Sequence, residues 1–184
     1  MRLALYLAAV AFTFPQAATA ASSVVGSGFA RMCFDAADSE RANAQTIGIC
    51  DRALSEEALA SDDRVATFVN RGIIRARLGD FPGARADYDR ALRLDPTEAE
   101  AYLNKGALVL KTERDLSTAR ALFDSALANK TRRPEIAHYG RAVVQELAGD
   151  ISAAYSDYLK AAELAPEWEQ PKKELARFSV RKKG

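Results

Sequence analysis

His138 is the one imidazole in this chain of 184 residues, so any general acid–base chemistry of the usual kind would have to run through it. Such chemistry also needs a nucleophile within reach of the ring and a third group to orient it. No Ser, Cys or Lys stands in a motif that would make it that nucleophile, and neither G-x-G-x-x-G nor a phosphate loop occurs. The acidic pairs Glu56-Glu57 and Asp62-Asp63 fall where helix ends or exposed faces are expected, where carboxylates cap and solubilise. Two cysteines and one histidine are too few for a zinc or iron–sulfur centre. Cys33 and Cys50 can instead form a disulfide or stand as separate buried thiols; a redox pair would call for C-x-x-C, which is missing. The residues argue against an enzyme and imply neither cofactor nor metal.

The composition points to helices. Alanine occurs 37 times, against ten glycines and six prolines. A net charge of +1 gives no basic surplus for nucleic acid. The first twenty residues read as an address. Arg2 precedes an uncharged run from Leu3 to Phe14, Pro15 breaks it, and Ala18-Thr19-Ala20 forms an A-x-A cleavage site before Ala21. Those 12 apolar residues are well short of the ~20 that span a bilayer. The sequence therefore predicts an exported protein, periplasmic or secreted, with no membrane span after cleavage.

The rest of the chain repeats. Asp80, Asp115 and Asp150 are 35 apart, as are Ala84, Ala119 and Ala154; Tyr88, Phe123 and Tyr158; and Ala91, Ala126 and Ala161. Spacings of four, four and three place Ala, aromatic and Ala on one helical face, with Asp as the N-cap. Gly79 and Gly149 stand where the preceding helix must end. Upstream, Phe68, Tyr102 and His138 each precede a small residue (Gly72, Gly106, Ala142) by four. Thr97 to Glu100 reads as a capping box for the next helix. Each block is a helical hairpin that cannot bury its apolar face alone, so hairpins must stack. His138, in the slot of Phe68 and Tyr102, is read as core.

This pattern resembles the tetratricopeptide repeat over 65–98, 99–134 and 135–168, within a domain of residues 61–168. The middle block is two residues longer, with one extra in its turn around Lys111–Ser117, and Arg75, Val109 and Gln145 fill a slot that is aromatic in the family. The resemblance implies an all-α fold, an α-solenoid of stacked antiparallel hairpins with a C-terminal capping helix. It implies a non-catalytic scaffold or adaptor that binds another protein or peptide, its identity open. The implied concave groove is lined by Val69, Asn70, Ile73 and Arg77, by Leu103, Asn104, Ala107, Leu110 and Lys111, and by Tyr139, Val143 and Leu147. Asn70 and Asn104 could grip a peptide backbone, since an amide both donates and accepts. Leu103 and Tyr139 share a slot, so one segment could touch both. Two alternatives stay open: self-association could close the groove, or the chain's own Ser22–Phe29 could cover it.

Arg71, Lys105 and Arg141 recur just before the small residue. Their stems are expected to pack between hairpins with the charges in water, rather than to form a basic row for an acidic partner. Residues 21–60 read as a degenerate hairpin, with helices at 29–37 and 44–54, Asn43 as N-cap and Asp38–Ala42 as the turn. Cys33 and Cys50 are equidistant from that turn, which makes a disulfide geometrically reasonable. In residues 169–184, one helix is expected to run from Trp168 to Val180, with Lys172, Lys173, Glu174 and Arg177 in water and a solvated basic tail, Arg181-Lys182-Lys183.

Overall fold

The computed structural model describes residues 20–24, 28–39 and 42–178. Among these residues there are nine helices: α1 (Phe29–Asp38), α2 (Ala44–Glu56), α3 (Ser61–Arg77), α4 (Phe81–Leu94), α5 (Ala99–Thr112), α6 (Leu116–Ala128), α7 (Pro134–Leu147), α8 (Ile151–Leu164) and α9 (Glu169–Leu175). They pack as hairpins α1–α2, α3–α4, α5–α6 and α7–α8, each second helix leaning on the first helix of the next pair. The first helices α1, α3, α5 and α7 also touch one another in order, which makes theirs the inner face of the stack. The expected secretory segment, up to Thr19, and the tail Arg181-Lys182-Lys183 lie outside the described residues.

The repeated residues do what their types dictate. Asp80, Asp115 and Asp150 accept from the backbone amides of Gly83, Thr118 and Ala153, closing the first turns of α4, α6 and α8. The Asp115 carboxyl is held down at about 2, chiefly by its bond from the Thr118 hydroxyl. Gly79 and Gly149 adopt φ of 83° and 84°, where the amides of Asp80 and Gly149 itself turn back onto the helices they end. Tyr88, Phe123 and Tyr158 are buried to within 1 %. Each of the first two lies on the small residue of its own hairpin. A Cβ on Gly72 would sit 2.5 Å from the Tyr88 ring, and one on Gly106 would sit 3.1 Å from Phe123. Burying each such ring contributes roughly 1.5–3 kcal/mol.

The N-terminal hairpin is capped and tied. Asn43 accepts from the Thr46 amide while the Thr46 hydroxyl accepts from the Asn43 amide. Glu57, just past α2, accepts from the amides of Phe29 and Ala30 and so caps α1 from outside. Cys33 and Cys50 are joined by a disulfide, with Cα atoms 5.0 Å apart. Closing a loop of 17 residues stabilises by roughly 3 kcal/mol in the chain-entropy view.

Three local expectations are corrected. The capping box at Thr97–Glu100 does not form: Thr97 bonds Asp95, and the Glu100 carboxylate instead accepts from the Thr131 hydroxyl and the Arg132 backbone and guanidinium. Glu100 is thereby buried, stapling α5 to the α6–α7 loop. The last helix is shorter than expected, ending at Leu175, because Phe178 turns back to pack on Tyr155 and Tyr158. Glu174 is buried rather than in water, held by Gln170 and Arg177.

Candidate functional site: the concave face

The inner face is built on α3, α5 and α7, and the sequence-derived groove residues divide into three groups there. Val69, Ile73, Leu103, Tyr139 and Val143 are at most 1 % exposed and belong to the interior. Leu110 is also buried, and Leu147 is exposed at the end of α7. Tyr139 lies beneath Trp168, with ring centroids 4.9 Å apart, and beside Tyr158. Leu103 and Tyr139 do share one apolar cluster, but as core, not as open anchors. Arg77 and Lys111 have other tasks. Arg77 donates to the Ala37 carbonyl near the end of α1, and the Lys111 ammonium stands 5.1 Å from the Phe81 ring centroid. Ala107 is half-buried.

Asn70 and Asn104 are the third group, and both are buried. Asn70 Nδ2 donates to the Ser22 carbonyl at 2.8 Å, and Asn70 Oδ1 accepts from the Ser22 amide at 2.9 Å. One amide side chain thus satisfies both backbone groups of one residue, as a neighbouring β-strand would. Asn104 Nδ2 donates to the Ala20 carbonyl at 3.0 Å and to the Glu100 carbonyl at 2.8 Å. The matched amides therefore hold residues two apart on one extended segment. At the equivalent position of α7 stands Gly140. A Cβ there would lie 2.4 Å from the Phe123 ring, so Phe123 of the preceding hairpin occupies the space that an amide would need.

The segment is residues 20–24 of the chain itself. Ala20, Ser22 and Val24 are buried and Ser23 is exposed, the period of two of an extended strand with one face down. Ala20 joins the cluster of Leu103 and Tyr139, and Val24 packs with Ala30, Ala53 and Ala66. The strap therefore runs from α5 across α3 towards α1. Two side chains from loops complete its seat. The Ser22 hydroxyl donates to Glu98 Oε1 at 2.8 Å. Arg132 donates to the Ala21 carbonyl at 3.1 Å and to the Ser23 hydroxyl, while also holding Glu100 at 3.1 Å. Burial raises the Glu98 carboxyl above its usual range, and the Ser22 bond pulls the other way. Glu98 and Arg132 lie outside the helical slots, so no periodicity singles them out.

His138 departs from a purely apolar core role. Its Nδ1 lies 2.8 Å from Asp157 Oδ1, and Arg141 reaches the same carboxylate through Nε and Nη2 at 2.7 Å. Burial alone would raise the Asp157 carboxyl, but the bonds from Arg141 and His138 outweigh it and hold it at about 2. Both Asp157 oxygens are engaged, which suits the cluster to holding α7 on α8. Among the described residues, no group of three or more His, Cys, Asp or Glu side chains could hold a metal ion.

A TPR-repeat family model matches residues 72–112, and a tetratricopeptide-repeat model matches residues 105–167. The chain belongs to the tetratricopeptide repeat family. As a tetratricopeptide repeat protein it has the general character of a protein-interaction scaffold. Its fold is similar to that of the solved MamA RS-1 ArsTM double mutant, with a TM-score of 0.63 at 20% sequence identity over 81% of this chain and 82% of that one. No curated protein matches this sequence. Among the described residues, no helix is long and apolar enough to cross a membrane.

Proposed function

We propose that this tetratricopeptide repeat protein is a non-catalytic, exported adaptor whose concave face takes an extended segment of another protein. The observation that carries the reading is the pair Asn70 and Asn104, two buried amides whose free bonding capacity is met by the backbone of a strand crossing α3 and α5. Backbone recognition of this kind gives affinity, and the side chains facing inward give selectivity. Export is supported by the secretory layout of residues 1–20 and by the Cys33–Cys50 disulfide, which persists in oxidising compartments. The domain scheme proposed is a leader to residue 20, an N-terminal hairpin over 21–60, three repeats within 61–168 and a cap over 169–184.

Cross-linking in intact cells, followed by mass spectrometry, tests the reading. Wild type should capture one or more envelope proteins, and Asn70→Ala with Asn104→Ala should lose them while keeping the helical spectrum. Capture that is indifferent to both substitutions would contradict it. A fusion of residues 1–30 to a reporter active only outside the cytoplasm should give signal, and the mature chain should begin at Ala21. A cytoplasmic product beginning at Met1 would remove export from the account.

A further inference from the structure

We propose that the concave face selects extended segments of the pattern small-x-Ser-x-β-branched aliphatic, and that residues 20–24 (21–24 once the chain is cleaved before Ala21) hold this site as an internal ligand which such a segment must displace. This rests on the concave-face reading above. The pattern is taken from what each inward side chain meets. Ala20 enters the cluster of Leu103 and Tyr139, where a larger side chain would have to displace core atoms. Ser22 is 3 % exposed and gives its hydroxyl to Glu98; alanine there would leave that carboxylate without the bond, and valine would in addition be too large for the closed position. Val24 is 4 % exposed in a cluster with Ala30, Ala53 and Ala66, edged by Phe29, Phe34 and Leu59, a closed apolar seat that a short branched side chain fills.

The strap is built to be exchangeable. It belongs to none of the nine helices, and apart from the Arg132 bond to the Ser23 hydroxyl its polar anchors reach backbone groups and the Ser22 hydroxyl, which any peptide of this pattern would offer. Because it is tethered, it competes at a high effective concentration, on the order of millimolar for a short linker. Cleavage before Ala21 would keep Ser22 and Val24 but remove the Ala20 carbonyl from Asn104, loosening the strap at the α5 end. Processing and access to the site are then linked.

Ser22→Pro tests this directly. Proline is compatible with an extended segment, yet it removes both the amide that donates to Asn70 and the hydroxyl that donates to Glu98. The probe is a labelled peptide, acetyl-Ala-Ala-Ser-Ser-Val-amide, titrated to millimolar concentration against the whole protein and followed by NMR. The Ser22→Pro protein should bind it at least about tenfold more tightly than wild type. Adding Asn70→Ala should abolish that binding, and replacing the peptide's first serine by valine should weaken it. Equal, Asn70-dependent binding to both proteins would leave the groove reading standing and overturn the internal ligand. Binding to neither, or binding indifferent to Asn70→Ala, would overturn both. Val24→Asp dislodges the strap from its other end. If both variants lose the helical spectrum, the strap is an integral part of the fold and the proposal fails. It also fails if wild type sediments as a dimer that Ser22→Pro dissociates, since the strap then belongs to a second copy.

Discussion

Arg141 reaches back to Asp124 of the preceding hairpin at 2.7 Å while its other nitrogens grip Asp157 of its own. The same bridge recurs along the stack. Arg71 meets Asp51 of the hairpin before it at 2.6 Å and Asp87 of its own at 2.6 Å. Lys105 meets Asp89 at 2.6 Å. Asp51, Asp89 and Asp124 each follow the residue in the aromatic slot, Cys50, Tyr88 and Phe123. The basic row is thus an inter-hairpin clamp, its charges matched by acids rather than standing free in water.

The two ends of the Arg141 bridge should differ in weight. Asp157 is 8 % exposed and Asp124 is 47 % exposed. Arg141→Ala leaves a buried carboxylate short of its main partner and should cost about 2–3 kcal/mol in urea unfolding. Asp124→Ala removes a solvated pair and should cost under about 1 kcal/mol. Equal costs would mean that the clamp acts through the stem of Arg141 and not through its charge.

Asp157 also sets a pH dependence. Its folded value near 2 lies below the ordinary carboxylate range, so the charged form is favoured by folding. The stabilisation is fully present above about pH 4 and drains away as pH falls through 4 to 2. Wild type should lose roughly 1–2 kcal/mol more than Asp157→Asn across that window in acid titration. Parallel acid curves for the two proteins would contradict the assignment.

Glycine substitutions separate contact from conformation. A Cβ at Gly140 would lie 2.4 Å from the Phe123 ring, whereas one at Gly48 meets nothing within 4 Å. Gly140→Ala should cost about 2 kcal/mol or more through overpacking. Gly48→Ala, within α2, should stabilise by about 0.5–1 kcal/mol. Thermal melts of the two variants that shift in the same direction would sink this packing scheme.

Lys130 carries a different strain. It is exposed, at φ 60°, and ends α6 in the conformation that Gly79 and Gly149 adopt after α3 and α7. Its amide bonds the Leu127 carbonyl and that of Thr131 bonds Ala126, the closing pair of a left-handed helix stop. Lys130→Gly should raise stability by up to about 1 kcal/mol in chemical denaturation. A loss instead would show that the turn is held by the lysine side chain.

The stack could be read in advance because its contacts repeat. Ala84, Tyr88 and Ala91 recur at helical spacing, and an Asp opens each of their helices, so local chemistry and packing point the same way. The Asn70 and Asn104 pair could likewise be read from its shared slot. That the chain's own Ser22–Phe29 could cover the slot is one of the alternatives the sequence leaves open; the register, Ser22 on Asn70, is not legible, because the two are 48 residues apart and nothing in Ala-Ala-Ser-Ser-Val has a period. Glu98 and Arg132 were hidden for a related reason: loop residues join the site through the geometry of the stack. Leu103 and Tyr139 are core rather than open anchors because the strap and Trp168, both distant in sequence from the repeat slots they cover, close the inner face.

Residue-resolved amide exchange at Ser22 tests most directly whether Asn70 holds an extended backbone on the concave face. In wild type the Ser22 amide should exchange at least about tenfold more slowly than in an unstructured peptide, and Asn70→Ala should return it to the peptide rate while the α3 and α5 amides stay protected. A Ser22 amide that exchanges freely in the folded wild-type protein would contradict the account.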